Sequence, residues 1–323
     1  MKLFWLILLL LVVGASGSAQ EAAVKQITAK LTEIERQLVA QSVSPDLKTR
    51  CTKDIADARA TLKLQRPLAS LYTIRPCQIE LAKQIAKPDN TAFLTEKQKV
   101  ASARTNAKKL SSLAVALADI SLVEADHYYQ SSIALSAKDP AEATVNLAKA
   151  TATVDFANFV LGLHLPERKL AYGLKSLEPE LTKLGTSAMR TYKAAGANAP
   201  QGEFNRLKST VEFAVELNRA SKFEAALVRY LESELYFGLI VTAAENEDTQ
   251  HLRERSGELG KLLISGKIDN SIGLFFWEIA DTNLNPVSGE PTAVQLKTAV
   301  VILNRVLPGY FDYQKRLGPP PKP

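Results

Sequence analysis

The chain has 323 residues, 46% of them hydrophobic, enough to bury a substantial core and to exclude a disordered polymer. Its 40 Lys and Arg against 34 Asp and Glu leave a charge of +6, too small an excess over this length for a nucleic-acid surface or a polybasic membrane surface. With 3 His and 2 Cys, a multi-ligand zinc or iron–sulfur site has almost no residues to draw on.

The N-terminus reads as an address. Lys2 precedes an uncharged apolar run from Leu3 to Val13, and Gly14–Ala19 is small and turn-prone. That order predicts a secretory signal peptide over residues 1–19, cut after Ala19, with Gly17 as the fallback site. As a helix the run spans only about 17 Å, against a bilayer core of roughly 30 Å. No later run is long and apolar enough to cross a membrane. The mature chain is expected to start at Gln20, outside the cytoplasm, in a secreted or periplasmic setting.

Helices follow in series. Val24, Ile27, Leu31, Ile34 and Leu38 form a seam spaced by threes and fours, closed by Ser44-Pro45. Asp46 is expected to cap a second helix ending near Leu64. A third follows Pro67 to about Lys87, kinked or restarted at Pro76. From Thr91 to Asp139 there is no Gly or Pro, which fits one long helix or two broken near Ser111-Ser112. Asp139-Pro140 caps and opens the next helix. Its seam runs Ala143, Leu147, Ala150, Val154, Ala157, Leu161, and it stops at Pro166.

A helix from about Leu177 ends before Gly196, and Ala194–Gly202 reads as a linker. Helices over 203–220 and 222–244 come next, then others near 248–264, 271–281 and 291–307. The tail Gly318–Pro323 is expected to be extended. Nothing alternates with period two between turn signals, so the fold class is all-α, built of antiparallel helical hairpins.

In an exported chain Cys51 and Cys77 are expected to pair as a disulfide. Their midpoint falls in the predicted turn Leu64–Pro67, so the two face each other across a hairpin. They lack the Cys-x-x-Cys spacing of a redox-active pair.

Three second helices share a small–large–small pattern: Ser70/Ile74/Cys77, Ala143/Leu147/Ala150 and Ala226/Tyr230/Ser233. Phe213, Ala214 and Leu217 precede the last of these, across the turn Ser221–Ala226. The stretch 210–238 resembles a tetratricopeptide-type helix–turn–helix, in which small residues sit where two helices cross. It departs from that pattern at Thr210, Ala214 and Gly238, where the motif favours Trp, Gly and Pro, and the three hairpins are not spaced by 34 residues. The resemblance implies a protein- or peptide-binding surface and no chemistry. The whole chain then reads as a TPR-like α-solenoid or as an irregular helical bundle.

One stretch carries a possible metal chemistry. Glu124 and His127 form Glu-x-x-His on one helix face. Folding the chain back near Asp139 brings Asp155 opposite, so Glu124, His127 and Asp155 are the candidate metal ligands. Glu124 also continues an apolar seam, where a carboxylate needs a cationic partner from a neighbouring helix. His164 and His251 (with Asp248) lie elsewhere, and no Gly-x-Ser-x-Gly elbow or haem-attachment motif is present.

The sequence reading is therefore an exported, non-catalytic, all-α protein with regions 1–19, 20–196, 197–317 and 318–323, stapled by Cys51–Cys77. It expects a protein or peptide partner, a protein-binding or scaffold role, and neither nucleic acid nor cofactor. The alternatives are a metal-binding helical protein using Glu124 and His127, or a bundle enclosing a small apolar ligand.

Overall fold

The computed structural model describes residues 2–40, 42–106, 110–165, 173–196, 199–242, 248–265 and 268–318, with side chains from residue 20. The expected stop at Pro166, most of the proline tail and the side chains of the leader fall outside this set. The described residues are helices and connections, without a strand, so the fold is all-α. None of these helices is long and apolar enough to cross a membrane.

The chain divides into two compact units: Met1–Ala114 with Ser121–Glu167, and Val115–Ile120 with Arg168–Pro323. Unit 1 holds α1 (Lys2–Leu38), α2 (Pro45–Lys63), α3 (Pro67–Ile85), α4 (Asn90–Asn106), most of α5 (Ser112–Leu135) and α6 (Pro140–Leu161). Unit 2 holds α7 (Glu178–Ala195), α8 (Gln201–Arg219), α9 (Phe223–Val241), α10 (Thr249–Ser265) and α11 (Ser271–Leu284). It ends with α12 (Ala293–Val301), which passes through a π-helical stretch, Ile302–Val306, into α13 (Leu307–Leu317). The expected regions put α7 with the first half of the chain. It packs instead against α8 and α9, and so belongs to unit 2.

Local chemistry explains the boundaries. Ser44, not Asp46, caps α2, its Oγ accepting from the Leu47 N–H. Pro45 has a fixed φ suited to the first helical position, so the helix starts before Asp46, which adds negative charge to the first turn. Ser111 Oγ accepts from the Ala114 N–H at 3.2 Å and starts α5, so the long breaker-free stretch is two helices. Asp139 caps α6 through the Glu142 N–H, and Thr292 with Gln295 makes a capping box on α12. Pro308 has no N–H to donate and crowds the preceding turn. The π-helical stretch just before it loosens that turn, and the Leu307 N–H reaches back to the Ile302 carbonyl.

The seams are buried largely as periodicity demands. Ile27, Leu31, Ile34 and Leu38 of α1 are interior, with Ala23 rather than Val24 extending the row. On α6 the row Ala143, Leu147, Ala150, Val154, Ala157 is interior throughout. The same register recurs on the last helix of unit 2 as Ala299, Leu303, Val306, Tyr310 and Tyr313.

The two units repeat one hairpin. Helices α2, α3, α8 and α9 are each 19 residues long. The second pair lies 156 residues beyond the first, from Pro45 to Gln201 and from Pro67 to Phe223. Both turns are Schellman motifs. Gln65 N–H bonds the Leu62 carbonyl and Arg66 N–H bonds Thr61. At the matching places Ser221 N–H bonds Asn218 and Lys222 N–H bonds Leu217. Gln65 and Ser221 hold the left-handed conformation that the motif requires. Beyond the turn, Ala69, Ser70, Leu71, Ile74, Cys77, Gln78 and Leu81 are buried on α3, and Ala225, Ala226, Leu227, Tyr230, Ser233, Glu234 and Phe237 are buried at the same offsets on α9. Arg50 on α2 reaches Glu80 on α3 at 3.8 Å, and Arg206 on α8 bonds the Tyr236 hydroxyl on α9 at 2.8 Å.

Cys51 and Cys77 form a disulfide across the first hairpin, with Cα atoms 5.6 Å apart. Closing a loop of this length stabilises by about 3.5 kcal/mol on the chain-entropy account. Pro76 stands inside α3, one residue before Cys77. A proline in a helix interior costs about 3 kcal/mol, so the covalent link offsets a defect of its own size at the place where it occurs.

Each unit also fastens its first helix to its last segment. In unit 1 the Gln26 amide donates to the Gly162 carbonyl at 2.8 Å and accepts from the His164 N–H at 2.9 Å. In unit 2 the Tyr313 hydroxyl donates to the Lys175 carbonyl at 2.6 Å, and Arg316 forks onto Glu180 at 2.6 and 3.0 Å.

Candidate functional site

The Glu-x-x-His stretch sits on α5 in unit 1. Glu124 is turned inward and is less than a fifth exposed. The cation it needs is Arg75 from α3, and the two form a salt bridge. Arg75 in turn lies over the Phe156 ring of α6, 5.8 Å from its centroid. One residue from each of three helices thus converges on this point. A guanidinium held by a carboxylate and an aromatic face fixes helix packing; it presents no nucleophile and no proton carrier near neutral pH.

His127 lies one turn further along α5 on an exposed position. Its neighbour Asp126 pairs with Lys97 of α4. Asp155 stands at an exposed position on α6, and partial desolvation by its neighbours raises its pKa; Lys30 on α1 opposes that shift, while Glu96 and Glu33 add to it. Lys30 itself bonds Glu33 at 3.0 Å and stands 5.9 Å from the Phe159 ring. The fold therefore sends Glu124 to Arg75 and does not gather Glu124, His127 and Asp155. Among the described residues no group of three His, Cys, Asp or Glu is placed to hold a metal ion. The reason is geometric: Glu124 meets Arg75 of α3, and Arg75 is what lies against Phe156 of α6.

A second ionic cluster, in unit 2, has no counterpart in the sequence reading. Buried Glu234 on α9 pairs with Arg305, whose guanidinium lies 4.6 Å from the Phe237 ring. Burial, with the carboxylate of Glu234 next in size, pushes the Tyr230 hydroxyl far above its ordinary pKa. On the same helix Arg229 bonds Glu232 at 2.5 Å and sits 5.2 Å from the Phe213 ring of α8. Lys222 bonds the buried Asp119 at 3.0 Å. The available signal was three charges, Arg229, Glu232 and Glu234, midway along a largely apolar helix whose fourth charge, Glu224, stands in its first turn. A helix buried on most of its circumference must pair such groups.

The α8–α9 hairpin buries several small residues beside its large ones. Ala214, Ala225, Ala226 and Ser233 are all fully buried. Gly238, where the tetratricopeptide pattern has proline, lies against Val301, so any side chain there would collide with α12. No protein-family profile matches the chain, and no curated protein or solved structure matches it either.

Proposed function

We propose that this chain is an exported, non-catalytic helical protein that acts as a scaffold or binds a protein or peptide partner. The observation that carries the reading is the α8–α9 hairpin, with two helices of equal length, a tight turn and fully buried alanines on both helices. Tetratricopeptide-type modules use this arrangement to display a surface. The hairpin α2–α3 repeats it. Export is supported by the charge and hydropathy order of residues 1–19 and by the disulfide, a bond that persists in oxidising compartments.

The test is made on the chain expressed with its leader. N-terminal sequencing of the mature form is expected to begin at Gln20. A photo-crosslinking residue is then placed singly at the exposed positions Met189, Leu262, Ile264 and Val294. A discrete adduct with one extracytoplasmic protein, from a subset of these positions and absent from the others, is the expected result. No adduct at any position, together with stoichiometric bound metal lost in Glu124→Ala and His127→Ala, would replace this reading by the metal-binding one.

A further inference from the structure

We propose that the two units are copies of one module, and that only the first is conditional on oxidation: Cys51–Cys77 is a redox lock on unit 1, while unit 2 holds the same hairpin without a covalent bond. The inference does not depend on the partner-binding reading above.

The hairpins correspond position by position, so their differences are informative. Where α2–α3 has Cys51 and Cys77, α8–α9 has Leu207 and Ser233, all four buried. Where α3 has Ile74 and Leu81, α9 has the larger Tyr230 and Phe237. Where α3 has Pro76, which gives its helix no backbone donor, α9 has Glu232. The second hairpin therefore gains from aromatic burial and an unbroken helix what the first lacks. The disulfide lies beside the defect in α3 and joins that helix to α2. Without it, the first hairpin keeps the smaller core and the proline.

The chemistry balances by thiol–disulfide exchange. The Cys51 thiolate attacks one sulfur of a disulfide-bearing oxidant, and the other oxidant sulfur leaves as a thiolate. The Cys77 thiolate then attacks the Cys51 sulfur of the mixed disulfide and expels the second oxidant thiolate. Two electrons from the cysteine thiolates pass to the oxidant, which ends as two thiols, and the protons lost by the cysteines end on them. Once closed, the bond is shielded, since Cys51 and Cys77 are 0% and 3% exposed.

The test uses the full chain. It is unfolded, reduced and refolded with and without oxidised glutathione, and amide exchange is mapped by mass spectrometry. Without the oxidant, protection of the α2 and α3 amides is expected to fall about a hundredfold, with α8 and α9 unchanged. Oxidised glutathione should restore it. The Cys51→Ala/Cys77→Ala variant should show the same loss and no restoration. Equal loss in both hairpins, or no loss in either, would overturn the proposal, as would restoration in the double variant.

Discussion

Ser221 occupies in the α8–α9 turn the place that Gln65 occupies in the α2–α3 turn, with φ of 57° and 59°. Neither residue is a glycine, although the left-handed conformation is strained for a residue with a Cβ. Gln65→Gly and Ser221→Gly are each expected to stabilise the protein by about 0.5–1 kcal/mol. Urea midpoints will show it; a lower midpoint for either variant would mean the turn is held by its side chain.

The repeat also predicts a transferable bond. Leu207 and Ser233 stand where Cys51 and Cys77 stand, so Leu207→Cys/Ser233→Cys should oxidise spontaneously to a second disulfide. A thiol titration is expected to find no free thiol in the folded variant, and its thermal midpoint should exceed that of its reduced form by several degrees. Two persistent free thiols in the folded, oxidised sample would show that the hairpins differ in register.

The Arg75–Glu124 pair is half-buried, and breaking it leaves one charge facing protein. Glu124→Ala is expected to cost about 2 kcal/mol, with Glu124→Gln milder. The double substitution Arg75→Met/Glu124→Leu should cost less than Arg75→Met and Glu124→Leu measured singly and added, because it removes both charges at once. Chemical denaturation of the four proteins completes the cycle; strictly additive losses would mean that the two side chains do not act on each other.

Stability should fall at high pH through unit 2. Burial pushes the Tyr313 hydroxyl up to about 12 from its ordinary 10. A raised pKa means that the fold favours the protonated phenol, so its contribution is complete below pH 10 and is lost as pH rises from 10 to 12. The loss reaches roughly 2–3 kcal/mol if this group alone governs it. Tyr313→Phe should flatten the fall in urea midpoint between pH 9 and 11.5. An identical fall in the variant would assign the effect to other groups.

Much of this fold was legible because helices announce themselves by spacing and breakers. The seam of α6, the cap at Asp139 and the turn at residues 64–67 follow from residues within one or two turns of each other. The disulfide was legible for the same reason, since its cysteines lie at matched distances from a turn. Arg75 as the partner of Glu124 was not, because the two meet from α3 and α5 and no local rule chooses among the lysines and arginines of an adjacent helix. The grouping of α7 turns on a related point. A small-residue linker marks where the chain can bend, while unit membership depends on which neighbours a helix packs against. The second helices of the two hairpins showed their likeness in the pattern Ser70/Ile74/Cys77 and Ala226/Tyr230/Ser233; the match of turns and first helices was hidden because it rests on backbone geometry and burial, while few matching positions carry the same residue.

The fastenings of Gln26 onto Gly162 and His164, and of Arg316 and Tyr313 onto the start of unit 2, set an order in time. A ribosome delivers the chain from the N-terminus, and each unit's opening helix waits for a contact that is made last. Unit 1 cannot complete its closure before residue 164 has emerged, nor unit 2 before residue 316. Until then each opening helix lacks its last hydrogen bonds, and an incompletely closed unit is the state in which nascent chains are most exposed to wrong partners. Under the export proposed above, that interval is also the one in which a chain must stay open to be moved, so late closure and translocation would make the same demand.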